Sequence, residues 1–131
     1  DLGEDLNSIL TGILQPKGRV HFEFCPMITS AELQQYNDCT NNDYHKQVAH
    51  LLDERIHKAY RLWPNNYIAH DMLYGQQRFI HEYTKEERAA FEAHLAKLDN
   101  YDSDLEILRD LLLGIYANPV CNKERLEKTE E

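Results

Sequence analysis

Arg19-Val20-His21-Phe22-Glu23-Phe24 alternates polar and apolar side chains, and no other run in the chain does so convincingly. Successive side chains of an extended strand point to opposite faces. Val20, Phe22 and Phe24 therefore share one side, and Arg19, His21 and Glu23 the other. The spacing predicts a half-buried β-strand over 19–24. A single strand leaves its backbone donors and acceptors unpaired. Its expected partners are a second copy, a cover made by residues 1–14, or further sequence beyond this chain.

Everything else is patterned for helices. Leu2, Leu6, Ile9, Leu10, Ile13 and Leu14 suit a short helix, and Gln15-Pro16-Lys17-Gly18 is a turn signal. Thr29 or Ser30 can cap a short helix around Ala31–Tyr36, followed by a polar loop over Asn37–Asn42. Tyr44, Val48, Leu51, Leu52, Ile56, Ala59 and Tyr60 mark a helix from Asp43 to Leu62. Pro64 ends or bends it. A shorter helix is expected from Asn66 to Tyr74, with Gly75 at its C-terminal cap. Thr84 and Glu87 form a capping box for a helix reaching about Leu98. Ser103 and Glu106 offer another box. Leu105, Leu108, Leu111, Leu112, Ile115 and Tyr116 then define an amphipathic helix that Asn118-Pro119 should end, leaving Cys121–Glu131 as a fraying charged tail. The expected fold class is mainly α, about five helices with a single β-strand at 19–24.

Composition excludes several roles. The 131 residues suit one domain or part of one, and the formal charge is −9, from 23 acidic and 14 basic residues. Nucleic-acid binders present a basic stripe to phosphates, but Arg55, Lys58 and Arg61 are scattered among acidic neighbours. No nucleic-acid partner is expected. No apolar run approaches the roughly 20 residues that cross a bilayer, so no transmembrane segment is expected in this chain. Cys25, Cys39 and Cys121 are odd in number and far apart, which reads as three ordinary thiols. The chain starts at Asp1 without a charged-then-apolar leader, which favours excision from a longer protein.

Gly18-Arg19-Val20-His21-Phe22-Glu23-Phe24-Cys25-Pro26-Met27-Ile28-Thr29 resembles the late strand and proline-containing exit of the glycerolipid acyltransferases. Leu62-Trp63-Pro64-Asn65-Asn66-Tyr67-Ile68-Ala69-His70-Asp71-Met72-Leu73 resembles the C-terminal extension of a bacterial subgroup, the 1-acylglycerol-3-phosphate acyltransferases. Ile115-Tyr116-Ala117-Asn118-Pro119-Val120 does so too. The family often has a Gly two residues before the exit Pro; Phe24-Cys25-Pro26 has none.

The resemblance implies an organisation and a function. Residues 1–29 would be the edge of an upstream acyltransferase domain, 30–120 a helical extension and 121–131 a charged tail. The family's His-x4-Asp motif removes a proton from the acceptor hydroxyl, and its Glu-Gly-Thr-Arg motif holds the acceptor phosphate. No Glu-Gly-Thr-Arg occurs here, so the chemistry would lie outside this chain. The implied function is a non-catalytic region of a protein that transfers an acyl group to a glycerophosphate-type acceptor in phospholipid biosynthesis. Its partners would be the upstream domain and, through 19–24, a second copy. The full-length protein is expected in the cytoplasm or peripherally at the inner membrane. No cofactor is implied.

Three residue groups merit weighing as sites. His94-Leu95-Ala96-Lys97-Leu98-Asp99 matches His-x4-Asp literally, but falls at a helix end rather than a strand-to-helix turn. His50, Asp53 and His57 lie at i, i+3 and i+7, so they share one helical side and could offer ligands to zinc or iron. The competing reading, a polar stripe beside the core face, is stronger, and no metal or catalytic residue is assigned. Trp63, Asn66, Tyr67, His70 and Asp71, with Asn65, cluster around the proline break as a possible ligand or partner surface; fixing a helix–helix corner is the plainer role. A stand-alone helical interaction module and a small metal-dependent enzyme using His50, Asp53 and His57 are the competing functions.

Overall fold

Helix starts follow local chemistry in the computed structural model, which describes residues 2–14, 18–100 and 104–129. Helix α1 spans Leu2–Leu14, with Glu4 and Asp5 in its first turn, where carboxylates suit the helix dipole. Helix α2 is Ser30–Gln34; the Thr29 hydroxyl accepts from the Glu32 amide at 3.3 Å, and the Glu32 carboxylate accepts from the Thr29 amide at 2.8 Å. Helix α3, Asn41–Ala59, is capped by Thr40, whose hydroxyl accepts from the Asp43 amide.

Helix α4, Pro64–Leu73, has its proline in the first turn, where a missing N–H costs nothing. Asn66 Oδ1 accepts from the Trp63 amide at 2.7 Å. The helix closes as the sequence predicts: Gly75 takes φ 61, the Gln76 amide reaches Asp71 O at 2.8 Å and the Gly75 amide reaches Met72 O at 3.4 Å. Helix α5, Lys85–Leu95, carries the Thr84–Glu87 capping box and tightens into a 3-10 turn over Ala96–Asn100. Helix α6 spans Leu105–Thr129 and is capped by Asp104 Oδ1, which accepts from Glu106 N at 3.1 Å. Ser103, the predicted cap, lies outside the described residues, as does the turn at Gln15–Lys17.

The predicted strand is absent. Among the described residues there are six α-helices and no β-strand, so the expected single strand at 19–24 is corrected. The physical reason is the lack of a pairing edge, since a strand exists only through a neighbour's hydrogen bonds. The alternation itself survives: His21 Nε2 lies 3.4 Å from Glu23 Oε2 on one side, while Phe22 and Phe24 are 84% and 95% exposed. Nor does α1 cover the segment, because Leu6, Ile9, Leu10, Ile13 and Leu14 stay exposed as well.

A second correction concerns α6. Asn118-Pro119 does not end it; the helix passes through Pro119 to Thr129. Proline there removes the donor that Ile115 O would use. Ile115 is 68% exposed, so water reaches that side of the helix. On the inner side the Asn66 amide donates to Tyr116 O at 2.9 Å, and the Tyr60 hydroxyl donates to Pro119 O. The buried face differs too. Leu113, Ala117 and Val120 are buried, whereas Leu105, Leu111 and Ile115 of the predicted face are exposed. In the first half of α6 the charged side is narrow, Glu106, Arg109 and Asp110, and apolar residues fill the rest, so spacing alone did not fix which apolar side is buried.

The core is built from the second half of the chain. Ile68 and Ala69 of α4, Phe91 and Leu95 of α5, and Leu113 and Ala117 of α6 form one buried cluster. Phe91 meets Tyr116 edge to face, with ring centroids 5.2 Å apart. No described side chain before Ile68 is buried.

Candidate functional site

Trp63, Asn66, Tyr67, His70 and Asp71 come from the start and inner face of α4, the helix most extensively packed against α6. Asp71 is 1% exposed, so its carboxylate needs protein donors in the place of solvent. Backbone amides take that place: Arg78 N donates at 3.1 Å to Oδ1 and Phe79 N at 3.1 Å to Oδ2. The Tyr83 hydroxyl adds a third donor at 2.9 Å. Asp71 thus folds the loop between α4 and α5 around its carboxylate. Burial first, then the hydrogen bond to Asp71, push the Tyr83 phenol above its ordinary value of 10.0, so it stays a donor.

His70 packs beside this loop, its ring 4.7 Å from Tyr74 and 5.0 Å from Phe79. Its buried Nδ1 has no hydrogen-bond partner among the described residues and sits 3.9 Å from Asp71 Oδ1. Tyr67 packs against Phe79 with the rings tilted 46° and their centroids 5.1 Å apart. Asn66 spends both ends of its amide on structure, at Trp63 N and Tyr116 O. Four of the five residues thereby build the corner between α4, α6 and the 75–83 loop. Trp63 differs. It is half-buried, and the Arg19 and Arg61 guanidinium carbons lie 4.9 Å and 4.5 Å from its ring centroid.

The other sequence candidates are placed apart. His50, Asp53 and His57 line one shallow cavity with Glu54, Asn122 and Arg125. His50 reaches Glu54 at 3.5 Å and His57 packs edge-on against Tyr60. Among the described residues no group of three His, Cys, Asp or Glu side chains converges as a metal site. His94 is exposed in the last turn of α5; the Asp99 side chain lies outside the described residues. All three cysteines are free, with Cys25 and Cys121 half-buried and Cys39 exposed. No helix among the described residues is long and apolar enough to cross a membrane.

Two clasps were not legible in the sequence. Arg55 of α3 donates to Pro26 O at 2.8 Å and pairs with Glu32, while Cys25 Sγ reaches Arg55 O at 3.7 Å. At the other end Arg19 joins Trp63 and meets Glu87 at 3.4 Å. The segment 19–26 is therefore held at both ends, with Val20, Phe22 and Phe24 facing solvent between. Both clasps link distant residues, and no local spacing announces them. No family model, curated protein or solved structure matches the chain.

Proposed function

We propose that this chain is the non-catalytic helical region of a lysophospholipid acyltransferase-like protein, and that residues 2–28 dock on that protein's acyltransferase domain. The complete protein would transfer an acyl group to a glycerophosphate-type acceptor. One observation carries the docking half of this reading. Nine large apolar side chains between Leu6 and Met27 are 46–95% exposed, while the buried core begins only at Ile68. Apolar surface on that scale marks a contact rather than a solvent face. The acyltransferase half rests on the resemblance of residues 18–29, 62–73 and 115–120. The contact between Asn66 and Tyr116 brings the latter two segments together.

The sequence encoded immediately before Asp1 tests the proposal. A His-x4-Asp and a Glu-Gly-Thr-Arg-like motif are expected there; a frame lacking both ends the acyltransferase reading.

A second reading, a stand-alone helical interaction module, is favoured by the outer face of α6. Ile107, Leu111 and Ile115 recur at i, i+4 and i+8 and are 58%, 60% and 68% exposed. Sedimentation at several concentrations separates the readings. Association abolished by Leu111→Ser, but retained when Phe22 and Phe24 are changed, would favour the module.

A further inference from the structure

We propose that the cavity beside Arg19 and Trp63 binds a small phosphate-bearing molecule. It encloses about 250 Å³, with Arg19, Trp63, Pro64, Asn65 and Tyr116 in its wall. Among the described residues Arg19 is the only charged side chain in that wall, and no carboxylate lines it. Arg61 brings a second guanidinium to the same indole ring. In a chain of formal charge −9, one guanidinium in the cavity wall, a second on the indole that bounds it and no lining carboxylate make a local departure from the overall charge. At physiological salt screening acts over roughly 8 Å, so the far acidic residues weigh little here, while Glu87 beside Arg19 offsets part of its charge.

Arg19 has donors to spare. Its one carboxylate contact, Glu87, is at 3.4 Å, longer than the roughly 2.7–2.9 Å of a strong charge-assisted bond, and its side chain is 67% exposed. A guanidinium presents five donors in a planar fork that matches phosphate oxygens. The exposed amide of Asn65 stands in the same wall, whereas that of Asn66 is already committed. A tetrahedral dianion can meet Arg19 and Asn65 together and still feel Arg61; a planar carboxylate carries half that charge. Trp63, Pro64 and Tyr116 leave apolar wall for a short carbon body.

Trp63 is the only tryptophan, so its fluorescence reports on this cavity alone. The probe is inorganic phosphate, titrated into the 131-residue chain at ionic strength held constant with sodium chloride. The expected result is a saturable fluorescence change at millimolar phosphate. Arg19→Ala should weaken it roughly tenfold, and Asn65→Ala by a smaller factor. Both side chains are exposed, so far-UV circular dichroism should stay unchanged in the two variants. A response that never saturates, or one equally strong in Arg19→Ala, overturns the proposal. Acetate acting as tightly as phosphate overturns the phosphate assignment.

Discussion

The side-chain amide of Asn66 donates to the backbone carbonyl of Tyr116 at 2.9 Å, joining residues fifty positions apart. The other end of the same amide accepts from the Trp63 backbone at 2.7 Å. One side chain therefore starts α4 and fastens it to α6 just before Pro119. Helix initiation and helix packing become one event.

Asn66→Ala should cost about 1–3 kcal/mol, since it removes both a cap and a part-buried hydrogen bond. Asn66→Asp keeps an acceptor for Trp63 N but has no donor for Tyr116 O, so it should lose only part of that. Urea midpoints of the two variants check this; no loss in Asn66→Asp would mean that the contact to Tyr116 contributes nothing, and equal losses that the cap at Trp63 contributes nothing.

Asp71→Ala should be the more damaging change, on the order of 3 kcal/mol, because three donors lose a buried acceptor. The effect is also local. Amide exchange at Arg78 and Phe79 should accelerate more than exchange in α6. Uniform acceleration would contradict the view that Asp71 organises the 75–83 loop.

Glu32 gives the clasp at Arg55 a pH dependence. The Thr29 amide, then the Thr29 hydroxyl and the Arg55 charge, hold its carboxyl below the ordinary value of 4.5. A depressed folded value means that the stabilisation is present above 4.5 and is lost as pH falls through that lower value. Glu32→Gln should therefore be less stable than wild type at neutral pH and indistinguishable in strong acid. A difference that persists in acid would rule out this linkage.

Phe22→Ser with Phe24→Ser should leave the stability of the isolated chain within about 0.5 kcal/mol, because both rings are exposed and touch no core residue. Solubility at high concentration should rise. A large loss of stability in denaturant titrations would show that these rings already pack on this chain.

Local chemistry was legible in the sequence, and long-range chemistry was not. The cap at Thr29, the box of Thr84 with Glu87, and the glycine stop at Gly75 each act within a few residues, so local sequence announced them, though not the part of Glu32. The alternation at 19–24 was real as a pattern. A pattern cannot supply a neighbouring edge, and no strand forms. Pro119 was read by its own penalty alone, whereas Tyr60 and Asn66, far away in sequence, hold the carbonyls around it. The inner face of α6 was hidden because Leu105, Ile107, Leu108, Leu111, Leu112, Leu113 and Ile115 spread round most of the helix outside the narrow side of Glu106, Arg109 and Asp110. The acceptor role of Asp71 needed the path of the 75–83 loop, which no spacing rule provides.

Amide hydrogen exchange across Val20–Phe24 addresses the docking claim most directly, compared between this chain alone and the chain joined to the acyltransferase-like domain we propose for it. The account predicts rapid exchange in the isolated chain, strong protection once the domain is attached, and unchanged protection from Ile68 to Val120 in both. Identical exchange at 20–24 in the two samples would contradict it.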